Sequence, residues 1–215
     1  MFRAVADVGV IILSIVLVII VTQAVRKIPI QYAKRIVGRR MLGGQTTHLP
    51  IRIASAGVIP IIFAISVLQF PTTIAQFSAW PWLQRLGNML SISNFLGAAL
   101  YFVLIIVFTY FYTAVTFDPE DVSDNIKKYG GFIPGIRPGR PTSEYLTRIL
   151  ERLTLVGALF LALIAVGPIL LGRFTGQLTL YLTGTSLLIV VGVALETMKQ
   201  IEAYVLMRHY EGFMK

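Results

Sequence analysis

RKIPIQYAKRIVGRRMLGGQTTHLPIR, residues 26–52, carries seven positive charges (Arg26, Lys27, Lys34, Arg35, Arg39, Arg40 and Arg52) and no acid. Apolar runs long enough to cross a bilayer flank it on both sides. A basic segment between two membrane crossings stays on the cytoplasmic side, so this stretch fixes how the chain sits in its membrane. It is also the strongest candidate for a docking surface.

The rest of the chain fits that reading. Of its 215 residues 56% are hydrophobic, and the mean hydropathy is +0.77. A soluble domain of this size has too much surface to carry such a composition. Apolar runs recur along nearly the whole length, at 8–25, 53–75, 95–115, 153–171 and 180–198. Each is close to the ~20 residues a bilayer core requires. The first has a charged leading end in Arg3, as a signal peptide would. Asp7 sits beside it, however, and no small-residue cleavage site follows, so it reads as a span. The expected fold is an all-α, polytopic membrane bundle of five transmembrane helices, a single membrane domain over 1–215. Its cytoplasmic loops are 26–52 and 116–152.

Orientation follows from Lys and Arg alone. The first inner loop has the seven cations named above, and the second has Lys127, Lys128, Arg137, Arg140, Arg148 and Arg152. The tail adds Lys199, Arg208 and Lys215, while the opposite side has only Arg3, Arg85 and Arg173. Sixteen against three puts the N-terminus outside and the C-terminus in the cytoplasm. The net charge of +9 is then a property of inner loops.

The second span carries two prolines. Pro60 removes a backbone donor and would clash with the carbonyl of Ala56, which predicts a kink, and Pro71 does the same further on. Ser66, Gln69, Thr73 and Gln76 follow Ile62 at steps of 4, 3, 4 and 3, which is one helix face. Such a face fits helix–helix contact, which favours Ser and Thr, and equally a wall of a water-filled path. The fifth span repeats the spacing with Thr185, Ile189, Gly192, Glu196 and Lys199. There Glu196 is expected to pair with Lys199 rather than to carry ions. Trp80 and Trp82 beside a span end fit an interfacial belt, and Phe108, Tyr110, Phe111, Tyr112 and Phe117 fit anchoring and packing.

The second inner loop has readable local structure. Asp118 suits a helix N-cap, Pro119 the first helical position, and Glu120 and Asp121 the positive helix end. Lys127 and Lys128 fall in the last turn, and Gly130 and Gly131 stop the helix. FIPGIRPGRP (132–141) then predicts tight turns that hold Arg137 at a rigid tip. A further helix is expected from Thr142 or Ser143, running into the fourth span, which bends or stops at Gly167-Pro168.

Catalytic signatures are missing. No HExxH, Walker loop or GxSxG occurs, and His48 and His209 are far apart. With no cysteine, disulfides and thiolate metal sites are excluded. No cofactor is implied.

IPIQYAKR (28–35), GGQTTHLPIR (43–52), AGVIPIIFA (56–64), DNIKKYGGFIPGIRPG (124–139) and GTSLLIVVG (184–192) resemble the SecY family. SecY is the channel-forming subunit of the bacterial protein-export translocon, in the inner (plasma) membrane. The resemblance covers essentially the whole chain but half of the family's ten spans, and these five look like spans six to ten. It implies a part of a protein-conducting channel that is not an enzyme. It translocates unfolded polypeptides bearing signal sequences and inserts segments into membrane lipid. Implied partners are the missing N-terminal half, the small subunits SecE and SecG, and the ribosome or the motor ATPase SecA. By resemblance Ile62 and Ile189 match the apolar pore ring. Pro60, Ser66, Gln69 and Thr73 lie on the lateral-gate helix. Arg26, Lys27, Lys34, Arg35, Arg39, Arg40, Arg137 and Arg140 belong to the loops that receive the cytoplasmic partner. The reading from a different class is a membrane scaffold, or docking and insertion factor, that forms no pore.

Overall fold

The computed structural model describes residues 2–32, 35–37, 40–42, 46–53, 56–175 and 179–211. Lys34 and Arg39 lie outside these residues. Seven helices occur among them. They are α1 (Phe2–Gln23), α2 (Ile59–Phe77), α3 (Pro81–Leu90), α4 (Phe95–Thr116), α5 (Pro119–Lys128), α6 (Arg140–Thr175) and α7 (Thr179–Glu211). Three stretches are long and apolar enough to cross a membrane: Ile59–Phe77, one within Phe95–Lys128, and one within Arg140–Leu170. They coincide with the second, third and fourth expected spans. Helices α1 and α7 occupy the places of the first and fifth.

The helices share one core. Val18 of α1, Ile61 and Leu68 of α2, Tyr101 and Ile105 of α4, Leu161 and Ile169 of α6 and Leu188 of α7 are all buried in it. Ala64, Ala98, Ala162 and Ala165 are buried among them. Small side chains there allow the close van der Waals contact that holds membrane helices together in the absence of a hydrophobic driving force. Helix α6 packs against both α4 and α7, and α2 packs on α3 and α4.

Three expectations need correction. The chain is not all-α. The segment after α1 folds as an antiparallel hairpin of β1 (Val25–Tyr32) and β4 (Thr46–Arg52), with a smaller ribbon of β2 (Arg35–Val37) and β3 (Arg40–Leu42) between them. A two-residue strand, β5 (Gly131–Phe132), adds to the other edge of β1, giving the order β4-β1-β5. The physical reason is a period-2 alternation. Ile28 and Ile30 on β1 and Ile51 on β4 turn inwards while Lys27, Pro29 and Arg52 face out. Proline does not prevent it, because β5 covers only Gln31 and Tyr32, leaving β1 at Pro29 with an unpaired edge.

Second, Pro60 does not kink α2. The helix begins at Ile59, so Pro60 sits in the first turn, where its missing N–H has no partner to lose. The expected span had started six residues too early. Pro71 does lie inside α2.

Third, Gly167-Pro168 does not end the fourth span. Helix α6 runs through it, 36 residues in all. At 1.5 Å per residue that is about 54 Å, well beyond a hydrocarbon core of about 30 Å. Its first third stands outside the apolar bundle and packs on the sheet.

Candidate functional site: a basic docking face and an uncovered helix face

The two basic loops, read separately from the sequence, form one unit. Gln31 of β1 pairs with Phe132 and Tyr32 with Gly131, which binds the hairpin to the second loop through backbone hydrogen bonds. Beneath the sheet lies a second core of Ile28, Ile51, Ile133, Leu146, Ile149 and Leu150, drawn from the hairpin, the second loop and the start of α6. Outside it Arg26, Lys27, Arg52, Lys127, Lys128, Arg137, Arg140 and Arg148 are all exposed. Backbone only is described for Arg35 and Arg40, which fall in β2 and β3.

The local rules for this region hold. The Asp118 side chain accepts a hydrogen bond from the Glu120 N–H at 2.8 Å, capping α5 as its sequence requires. Gly130 ends the helix in the left-handed region, at φ 71°. After β5 the chain turns sharply, with Gly135 at φ 83° and Gly139 at φ 103°. Two buried hydroxyls, which the sequence reading had not singled out, fasten this tip. Thr142 Oγ1 donates to the carbonyl of Arg137 at 2.8 Å. Ser123 Oγ of α5 donates to the carbonyl of Gly139 at 2.9 Å. The same Gly139 carbonyl accepts from the Thr142 and Ser143 N–H groups, which starts α6 at Arg140, two or three residues before the expected start at Thr142 or Ser143. The Arg137 backbone is thereby anchored and its side chain is left in solvent. Arg140 makes an exposed i, i+4 ion pair with Glu144 at 3.3 Å. Such a pair contributes little to stability but reduces the net positive charge there.

The bundle presents a different surface. On α2 the residues Ile61, Ala64, Leu68 and Ala75 are buried, while Ile62, Ser66, Gln69, Thr73 and Gln76 are all exposed. Ile62 alone leaves 47% of its surface uncovered. Gln69 and Gln76 line a cavity with Gln84 and Asn88 of α3, so that end of the face turns partly towards α3, while Ile62 and Ser66 stay exposed. The hydroxyls of the face bond back along the helix, Ser66 Oγ to the Ile62 carbonyl at 2.7 Å and Thr73 Oγ1 to the Gln69 carbonyl at 2.9 Å. On α7, Leu188 points into the core and its neighbour Ile189 points out, 37% exposed. Among the described residues Glu196 and Lys199 form no ion pair with each other, contrary to expectation; Glu196 is exposed. Gly192 lies so close to Val58, the residue capping α2, that a Cβ built on it would sit 2.9 Å from Val58 Cγ2. Among the described residues no cluster of His, Asp and Glu is placed to hold a metal.

A basic sheet set beside a bundle with helices long and apolar enough to cross a membrane is an arrangement that fits a membrane protein with a large face outside the bilayer. Comparison with known proteins gives the family. The SecY family model matches residues 1–198. The protein translocase subunit SecY of Halalkalibacterium halodurans is 53% identical over 204 residues, which is 94% of this chain and 47% of that one. The same subunit of Thermus thermophilus is 49% identical over 195 residues, 90% of this chain and 44% of that one. The chain belongs to the SecY family. That family is one of translocase subunits, not of enzymes, and the chain is a multi-pass protein of the bacterial plasma membrane. It spans about half the length of the curated relatives it matches.

Two solved structures share the fold. One, of a SecY protein whose plug domain is described as stabilising the closed state of the translocation channel, superposes with a TM-score of 0.56 at 20% identity. It covers 91% of this chain and 49% of that one. The other, described as a protein-conducting channel, gives 0.51 at 21% identity, over 84% of this chain and 45% of that one.

Proposed function

We propose that the chain is the C-terminal half, spans six to ten, of a protein-conducting channel subunit. The observation that carries this is the exposed semi-polar face of α2, with Ile62 on it, together with the outward-facing Ile189 of α7. Polar groups on the part of that face not turned towards α3 would cost several kcal/mol each if left unsatisfied in hydrocarbon. The face belongs against a front half that encloses water. In that arrangement α1 and α7 cross the membrane with α2, α4 and α6, and the charge asymmetry places the sheet in the cytoplasm and the N-terminus outside. Ile62 and Ile189 belong to an apolar ring that excludes water and ions yet parts around unfolded chains of many sequences. Pro60, Ser66, Gln69 and Thr73 lie on the wall through which signal sequences and membrane segments leave towards lipid.

The sheet-joined basic face, with Arg137 at its tip, is the docking site for the ribosome or the motor ATPase SecA, whose translation or ATP hydrolysis supplies the energy. Its cations attract ribosomal RNA or an acidic protein surface, and the attraction weakens with salt. SecE and SecG complete the assembly around the two halves.

The test is conductance in planar bilayers. The chain alone is expected to give no gated, chain-sized current. Co-assembled with a front half, it should conduct when a signal-bearing polypeptide is supplied. A stable monomer with gated conductance would overturn the proposal. A co-assembled complex that binds its cytoplasmic partner but passes neither ions nor peptide would leave the scaffold reading in its place.

A further inference from the structure

We propose that Gly192 is the positioning residue of the pore ring: its missing side chain lets α7 close on Val58, the residue capping α2, and so sets the spacing between Ile62 and Ile189. This deepens the channel reading and rests on it.

The contact is unusually tight on one side and stiff on the other. A Cβ at position 192 would lie 2.9 Å from Val58 Cγ2, against an optimum of about 3.5–4.0 Å between carbon atoms. Val58 is β-branched, so its side chain has little rotamer freedom with which to retreat. Its backbone is also held. Gly57 before it is in the left-handed region at φ 61°, Ala56 is buried, and Pro60 follows in the first helical turn. The Val58 carbonyl accepts from the N–H groups of both Ile61 and Ile62, at 3.1 and 3.3 Å. Any added atom on α7 is therefore met by helix displacement rather than by a side-chain movement.

The same contact lies next to both ring residues. Ile62 is four residues beyond Val58 and Ile189 three residues before Gly192. At 1.5 Å per residue these are offsets of about 6 and about 4.5 Å. In the proposed topology α2 runs outwards and α7 inwards, so both offsets point the same way from the contact, and the two isoleucines stand at matching depth. A few tenths of an ångström of separation at Gly192 passes almost undiminished to them. An apolar constriction that excludes water by narrowness is sensitive to a change of that size.

The chain has no cysteine, so introduced pairs report cleanly. Ile62→Cys with Ile189→Cys, treated in the assembled channel with bifunctional thiol reagents of graded span, should give best cross-linking at one short span. Adding Gly192→Ala should lower the yield at that span and move the maximum to a longer reagent. Adding Val58→Ala to Gly192→Ala should move it back. Val58→Ile, with Gly192 intact, should give the same lengthening from the other side and covers the case in which Gly192→Ala fails to fold. In channels with native isoleucines, Gly192→Ala should raise resting ion leak and Gly192→Ala with Val58→Ala should restore the seal. A ring spacing unmoved in both single variants, or a shift that Val58→Ala does not reverse, overturns the inference. Ile62→Asn separates the two levels. A leak from Ile62→Asn without one from Gly192→Ala removes the positioning role and keeps the channel, whereas a seal intact in both removes the channel reading itself.

Discussion

The hydroxyl of Thr142 donates a 2.8 Å hydrogen bond to the carbonyl of Arg137, across five residues and from a side chain that is 1% exposed. The turn that displays Arg137 is thus fixed from inside, by a residue that itself touches no solvent. Thr142→Val keeps the shape and deletes the donor. It should cost about 1 kcal/mol locally, raise amide hydrogen exchange over 136–139, and lower partner-driven translocation while the membrane bundle stays intact. Thr142→Ser should retain both. Unchanged exchange over the tip in Thr142→Val would show that the glycine turns alone hold it.

Charge at the docking face should act through screening. Arg137→Glu should impair partner-driven translocation with little loss of folded protein, because the side chain lies in solvent. Reversal of Arg26 with Lys27, or of Arg39 with Arg40, should weaken binding of the cytoplasmic partner more at low salt than at high salt. Titrating partner affinity against ionic strength checks this. Affinities that match the unaltered chain at every salt concentration would leave the cations a purely topological role.

The end of the bundle opposite the sheet depends on close backbone approach. A Cβ on Gly87 of α3 would overlap the Ala75 Cβ of α2, and one on Gly97 of α4 would overlap the backbone oxygen of Ser91. Gly87→Ala should cost about 1–3 kcal/mol, as overpacking does. Gly97→Ala should cost more, because a carbonyl oxygen cannot rotate away. Thermal unfolding in detergent, read by tryptophan fluorescence from Trp80 and Trp82, gives the order.

Orientation is open to a direct measurement. Single cysteines at Tyr129, on the sheet side, and Asn88, at the opposite end, are both exposed. A membrane-impermeant thiol reagent should reach the first only from the cytoplasm and the second only from outside. Labelling of both from the same side would break the five-span topology.

What the sequence made legible was local. The Asp118 cap, the Pro119 start and the Gly130 stop of α5 depend on neighbours a few residues away, and all three are where the residue types put them. The apolar runs of α2, α4 and α6 are legible for the same reason. The hairpin also left a signal in the alternation of Ile28 with Ile30 and Leu49 with Ile51, but Pro29, Pro50 and the charges around them made the stretch read as an irregular loop. Its pairing with β5 left none, because Gln31 and Phe132 are a hundred residues apart in the chain. Nor does any spacing rule show that Thr142 and Ser123 fasten one turn, or that Gly192 meets Val58. Of the candidate site, the faces and charges were readable; their juxtaposition was not.

Helix α6 is a member of both cores. Leu146, Ile149 and Leu150 are clamped under the sheet, and Leu161, Val166 and Ile169 are clamped in the bundle. From Leu146 to Leu161, ahead of Pro168, the helix advances 15 residues, about 22 Å of rod at 1.5 Å per residue. A helix is stiff along its axis, so the two ends cannot be loaded independently. A tilt of about 5° at the sheet displaces Leu161 by about 2 Å, half the optimal 3.5–4.0 Å spacing of two packed carbon atoms. The rod is a lever with one arm seated under the sheet and the other in the bundle, so a load on the turn that carries Arg137 would be felt in the bundle.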